Sequence, residues 1–303
     1  MPKPAQPKGL EPETPIGRAA GKVIAAKITD VSALAEGGLA GDVDGIHDLR
    51  VAVKRLREAL RLFRRLQPPG LRRRFLPSVE QLNDSLGLVR DRDVWAGHAG
   101  WVLEHAPVSE AFLGSLQAKW AKQREAYLAQ LLKLWKSLVK DDGLLEGLGG
   151  LAAATAKRDR PDSRWPLDRF AYLAVAERAA RVRQQLSEGR RLEEPAILHA
   201  LRIAVKRLKY SIEPFLTALP ALAEPYGPVA DVQESVGETH DLDVLLAGMA
   251  EHVRELPVGG RRGARRAITV AHEHRGELFA QAMAHIAILD TDDWWRNLVD
   301  ALD

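Results

Sequence analysis

Two stretches of this sequence set the same kinds of side chain at the same spacing. Residues 46–66 read IHDLRVAVKRLREALRLFRRL, and residues 198–209 read LHALRIAVKRLK. His47 is followed by Arg50, Lys54 and Arg57, and His199 by Arg202, Lys206 and Lys209, with identical intervals. At a helical period these groups share one face, which Arg61 extends in the first copy. Leu49, Leu56, Leu60 and Phe63, and in the second copy Leu201, Leu208, Ile212 and Phe215, take the other face. On a single helix such a stripe is ordinarily a solvated face. Here the charges are almost unmixed, like charges at i,i+4 repel, and both copies keep the pattern, so an anion that neutralises both stripes is the expected reason. Successive cations rise about 5 Å apart along the axis, a ladder for a row of phosphates. Arginine offers a planar fork of donors, lysine a point charge, and histidine a proton that follows the ligand. The chemistry fits a linear polyphosphate-type anion or a nucleic-acid backbone. Because fixed cations disfavour a further proton, His47 and His199 are expected to titrate below about 6.5 and to gain protons when a polyanion binds.

A second pair of motifs, LGLVRDRDV at 86–94 and VGETHDLDV at 236–244, places Arg90 and His240 just before Asp91 and Asp241. Aspartate there reads as a helix N-cap, and Arg90 and His240 extend the anion site. The four acids Asp91, Asp93, Asp241 and Asp243 read equally well as caps that also hold arginines in place. Arg124 and Arg275 are repeat-related, and Arg262 and Arg266 belong to a dense basic cluster. These four are secondary candidates, open to neutralisation by partners. The HEH at 272–274 does not predict a metal site, since residues i and i+2 diverge on a helix. His98 and His105 share a face, which reads as packing, and no cofactor is expected.

Apolar residues recur at helical spacing over most of the chain, and alternating strand patterns are nearly absent. The spacing predicts helices near 16–36, 44–66, 70–89, 91–105, 109–139, 167–188, 195–218, 222–238, 241–254, 258–288 and 291–302. The fold class is all-α. Motif pairs at 33–38 and 185–190, 86–94 and 236–244, and 124–132 and 275–283 recur at nearly constant offset, which argues for an internal duplication. The predicted organisation is a disordered proline-rich tail (1–15), a first helical bundle (16–150), a linker (151–166) within a Gly/Asp/Pro-rich stretch at 141–166, and a second bundle (167–303). The bundles would be pseudo-symmetric, with about four main helices each.

Composition narrows the setting. With 44 Lys and Arg against 41 Asp and Glu, the net charge is only +3, so the position of the charge matters more than its sum. There is no cysteine, hence no disulfide and no thiolate metal site. No run of 18 apolar residues offers a span, and the start lacks the apolar stretch of a signal peptide. A cytoplasmic protein without a membrane partner is the expectation.

HDLRVAVKRLREALRLF with LGLVRDRDV, and HALRIAVKRLKYSIEPF with VGETHDLDV, resemble the CHAD domain, the conserved histidine α-helical domain. The resemblance covers nearly the whole chain after the tail. It implies two four-helix bundles around a central basic cavity, and binding of inorganic polyphosphate, often at polyphosphate granules. Carried over by position, His47, Arg50, Lys54, Arg57, His199, Arg202, Lys206 and Lys209 would line that cavity. Two departures, Glu213 opposite Arg61 and His240 opposite Arg90, imply weaker phosphate holding by the second half. Relatives often accompany a CYTH domain, a triphosphate-processing module with an ExExK signature. EPETP near the start lacks the lysine, so a triphosphate- or polyphosphate-processing enzyme is expected as a separate partner.

Non-catalytic polyphosphate binding is therefore the first reading. The second is a phosphate-handling or metal-assisted enzyme that uses the histidines. Against it, the stripes carry no carboxylate at ligand spacing and no GxxxxGK[ST] loop occurs. The third is nonspecific binding to a nucleic-acid backbone, with little support for base stacking because Phe63, Phe75, Trp95 and Trp101 sit among apolar positions.

Overall fold

Short-range signals set the ends of the helices that carry the stripes. Ile16–Ala40 (α1) stops at Gly41, whose φ of +89° lies in the left-handed region that glycine adopts without strain. One residue on, the Asp42 side chain accepts from the Gly45 N–H at 2.8 Å and starts Val43–Leu62 (α2). Gly45 lets the two helices meet closely, since a Cβ there would stand 2.5 Å from the Gly37 carbonyl oxygen.

This computed structural model describes residues 7–140, 143–188 and 192–303. The further helices are Pro69–His105 (α3), Glu110–Val139 (α4), Leu144–Lys157 (α5), Leu167–Glu188 (α6), Pro195–Ile212 (α7), Ala223–Glu255 (α8), Ala264–Leu289 (α9) and Asp292–Asp300 (α10). Among the described residues there is no strand, only an isolated bridge between Pro15 and Pro166. The chain is all-α.

Neighbours in sequence pack in space: α1 on α2, α2 on α3, α3 on α4, then α6 on α7, α7 on α8 and α8 on α9. Contacts between α2 and α7 and between α3 and α8 join the two halves. The apolar side chains form two clusters, and both draw on both halves. The larger includes Phe63 and Phe215, which occupy the same place in the two repeated motifs and meet edge-on with centroids 6.3 Å apart. Such a pair contributes about 0.5–1.5 kcal/mol beyond area burial and ties the apolar face of α2 to that of α7. The smaller cluster is built from Ala99 and Val102 of α3, Phe112 and Leu116 of α4, Leu242 and Met249 of α8, and Ala267 and Val270 of α9. α3 and α8 run through both clusters, and their polar motifs, 90–93 and 238–243, lie between.

Several expected boundaries move. The helices expected at 70–89 and 91–105 are one, as are those at 222–238 and 241–254. Asp91 and Asp241 are therefore mid-helix residues and not N-caps. The helix continues through both places although Gly87 and Gly237 lie close by, and the acids interact with arginines, Asp91 with Arg50 and Asp241 with Arg202. Within the expected linker, 151–157 belongs to α5, which packs on α1 and buries Leu151, Ala152 and Thr155. Of the expected disordered tail, residues 1–6 lie outside the described residues. Residues 7–15 are held in place: Leu10 is buried, Lys22 Nζ donates to the Lys8 and Gly9 carbonyls at 2.9 and 3.0 Å, and the Asp168 N–H donates to the Pro12 carbonyl. The α9 helix starts at Ala264, later than expected, after a 3-10 turn and Gly263 at φ +79°.

Candidate functional site

Where α2 meets α7, the middles of the two basic stripes come together. Lys54 lies among Arg50 and Arg57 of its own helix and Arg202 and Lys206 of the other. Partial burial, followed by these four cations, lowers its pKa from the ordinary 10.5 to about 7. Lys206 falls to about 8, again through burial first and then Arg202, Arg57 and Arg50, with Glu58 acting in the opposite direction. Arg202 is pulled down by burial, and Asp241 chiefly opposes the fall.

The motifs on α3 and α8 close one end of this cluster. Arg90 is lowered by burial, with Asp93, Arg50 and Asp241 as its nearest charged influences. His47 is held below its ordinary value by burial and then by Arg90. On the other side His199 and His240 face each other with ring centroids 4.8 Å apart. Burial, then Arg202 and His199, press His240 down to about 4. His199 is lowered by burial and then by Arg202 and Lys206. Among the described residues, Arg50 Nε and His199 Nδ1 are buried without a hydrogen-bond partner, although buried polar atoms are nearly always paired. Both atoms belong to residues that interact with Arg202.

Internal counterions are few. Arg50 Nη2 lies 3.5 Å from Asp91 Oδ1, a loose pair. Burial raises the Asp241 pKa while Arg202 draws it down and Asp91 pushes it up. Arg57 donates to Glu58 at 2.8 Å. Those acids do not balance Arg50, Lys54, Arg57, Arg90, Arg202 and Lys206, so the space stays cationic.

The family model of the CHAD domain matches residues 22–250. The chain belongs to the CHAD domain family. Its fold is similar to the crystal structure of the CHAD domain from the plant Ricinus communis, at TM-score 0.69 and 23% identity, over 100% of this chain and 96% of that one. It is also similar to PptA from Streptomyces chartreusis, at TM-score 0.62 and 12% identity, over 93% of this chain and 100% of that one. No curated protein matches the chain.

Within this CHAD chain, His47, Arg50, Lys54, Arg57, Arg90, His199, Arg202, Lys206 and His240 are linked to one another by electrostatic interactions in one cluster. Other sequence candidates stand elsewhere. Arg61 is exposed and is neutralised by Glu58 at 3.3 Å and Glu80 at 2.6 Å. Lys209 Nζ donates to Gln233 Oε1 at 2.8 Å, and its charged surroundings are Glu213, Arg55, Glu234 and Asp231 and not the central cations. Arg124 ties α4 to Asp93 of α3 and donates to the Gly41 carbonyl at 2.7 Å. Arg275 does the corresponding work between α9 and α8, 2.9 Å from Asp243. Arg262 and Arg266 are exposed at the start of α9, beside the smaller apolar cluster. For Lys209, Arg124 and Arg275 the origin is the same: helical spacing fixes a face, while the partner across that face comes from another helix.

Of the two roles that the sequence gives Asp91 and Asp241, the cap falls away and the hold on arginines stands, Asp91 beside Arg50 and Asp241 acting on Arg202. Their shared place as the first residue of each DxD motif is the available signal. Among the described residues no group of three His, Asp or Glu could hold a metal. His274 and His105 instead stack on the two sides of Trp101, with centroids 3.7 and 3.8 Å away.

Proposed function

We propose that this CHAD chain binds inorganic polyphosphate, without catalysis, in the space between α2 and α7. The observation that carries the reading is the facing pair Lys54 and Lys206. Two ammonium groups whose pKa values burial and the surrounding arginines lower to about 7 and about 8 form a site whose electrostatic strain a polyanion relieves. From Arg50 to Arg57 the stripe spans about 10 Å of helix, and its partner on α7 runs alongside, which favours a chain of phosphates over a single one. In this reading the halves act as pseudo-symmetric bundles that enclose one basic cavity, and each supplies a stripe. A binding role also agrees with the histidines: among the described residues no hydrogen bond to His199 Nδ1 orients that ring as a general base. The setting we infer is the cytoplasm, at polyphosphate granules, with a separate triphosphate- or polyphosphate-processing enzyme as partner.

The test is competition between long-chain polyphosphate and mixed-sequence RNA at equal phosphate concentration over a salt series. Polyphosphate should bind more tightly at every salt concentration, with affinity falling as salt rises because counterions are released. Equal affinity for the two polymers would remove the specificity and leave a general backbone binder.

A further inference from the structure

One turn beyond the central cations, α2, α6, the start of α3 and Arg207 of α7 surround a cavity of about 840 Å³. That volume falls in the range of small-molecule sites, about 300–1,000 Å³. Its walls are of two kinds. Arg64, Arg65, Arg72, Arg178 and Arg207 line one part, and Trp165, Phe170, Leu173 and Leu76 another. Among the described residues none of these five arginines forms an ion pair with a carboxylate. Arg178 is lowered by burial, with Glu177 and Glu58 opposing and Arg207 and Arg64 adding to the fall.

The repeated motif shows what is missing here. Arg207 in IAVKRLK stands where VAVKRLR has Arg55. Arg55 Nε donates to Glu213 Oε2 at 3.1 Å, and the Tyr226 hydroxyl donates to Glu213 Oε1 at 2.8 Å, so that copy of the site is filled by its own buried carboxylate. The position matching Glu213 in the first copy is Arg61, which turns to Glu58 and Glu80. One acid-to-base difference therefore removes the internal counterion of Arg207 and leaves an arginine-lined opening in place of an ion pair.

We propose that this cavity is a second anion site, distinct from the polyphosphate stripe, for a small molecule that joins a flat apolar body to several phosphates: a nucleoside triphosphate. Bare phosphate chains have no use for the Trp165–Leu173 wall, whereas a base stacks on aromatic and guanidinium planes. Glu177, exposed at the rim and held only by a long ion pair of 3.9 Å to the equally exposed Arg181, is available to accept from ribose hydroxyls or a base amino group. The arginines supply the bidentate forks that phosphates take.

The experiment is calorimetric titration of the full chain with ATP, inorganic triphosphate and dodecyl phosphate in turn, at one pH and salt concentration. ATP should bind one-to-one and at least about tenfold more tightly than triphosphate, a difference of about 1.4 kcal/mol. Equal affinity for ATP and triphosphate overturns the proposal, because the apolar wall then contributes nothing. Tighter binding of dodecyl phosphate than of ATP overturns the nucleoside assignment. Leu173→Glu, at a side chain already 50% exposed and thus safe for folding, should weaken ATP at least about tenfold and leave polyphosphate affinity unchanged. An unchanged ATP affinity in that variant places the ligand elsewhere. Lys54→Met with Lys206→Met should lower polyphosphate binding and spare ATP; joint loss would place ATP in the central space and refute a second site.

Discussion

Polyphosphate binding should take up protons at lysine, in a pH range where histidine does not titrate. In the free protein Lys54 titrates near 7 and Lys206 near 8. At pH 7.5 about a quarter of Lys54 and about three quarters of Lys206 therefore carry a proton. A bound polyanion reverses the local field and returns both groups toward 10.5, so binding at pH 7.5 takes up about one proton. Affinity then falls about tenfold per pH unit around that point, and more steeply toward pH 9, where both lysines of the free protein are neutral. Between pH 7 and 6 the lysine contribution fades. His47 and His199, held below 6.5, and His240, near 4, add their uptake only below that range. The sequence alone had assigned the linkage to His47 and His199; burial of the lysine pair adds the larger one. Calorimetry at pH 7.5 in two buffers of different ionisation enthalpy counts the protons directly. No uptake at pH 7.5, or a dependence confined below pH 6.5, would refute the reasoning. The free protein supplies an independent sign check: between about pH 7 and 10.5 the unfolded chain holds lysine protons that the folded chain has lost, so stability should rise with pH across that window.

Lys54→Met, which removes one buried charge from a repelling cluster, should raise unfolding stability by about 1–3 kcal/mol while polyphosphate affinity drops, as read by urea melts and titration. Charge reversal of Arg50 with Lys54, or of Arg202 with Lys206, should each abolish most binding. A loss of half the stoichiometry with the remaining affinity intact would mean two separate sites. Arg124→Ala and Arg275→Ala should each cost about 2–4 kcal/mol of stability, because Asp93 and Asp243 are left buried and unpaired, with little change in polyphosphate affinity; the reverse pattern would make them ligand contacts. Glu213→Gln should cost about 2–3 kcal/mol through the stranded Arg55, again seen in urea melts.

Much of this fold was legible because its cues are local. The 3.6-residue period located α2 and α7, and the recurrence of HDLRVAVKRL as HALRIAVKRL marked their cationic faces. Boundaries were less legible where polarity resembled punctuation. Asp91 and Asp241 look like caps because a cap and a mid-helix ion pair use the same carboxylate, and only the proximity of Arg50 and Arg202 distinguishes them. The stretch at 151–157 reads as a linker since its run of alanines follows a glycine-rich segment and carries little pattern, yet α1 supplies a surface for it to cover.

By itself the sequence determined that the chain is helical, which faces are apolar, and which face of each repeated helix is basic, since all three follow from residue order and helix period. Tertiary structure alone decided which cations meet. Arg57 and Lys209 hold matching places in the repeat, but one lies among the central cations and the other beside Gln233. Arg55 and Arg207 likewise match, and among the described residues only the former finds a carboxylate. The strength of a charge depends on burial and on neighbours brought from distant parts of the chain, and neither is written in the spacing of a single helix.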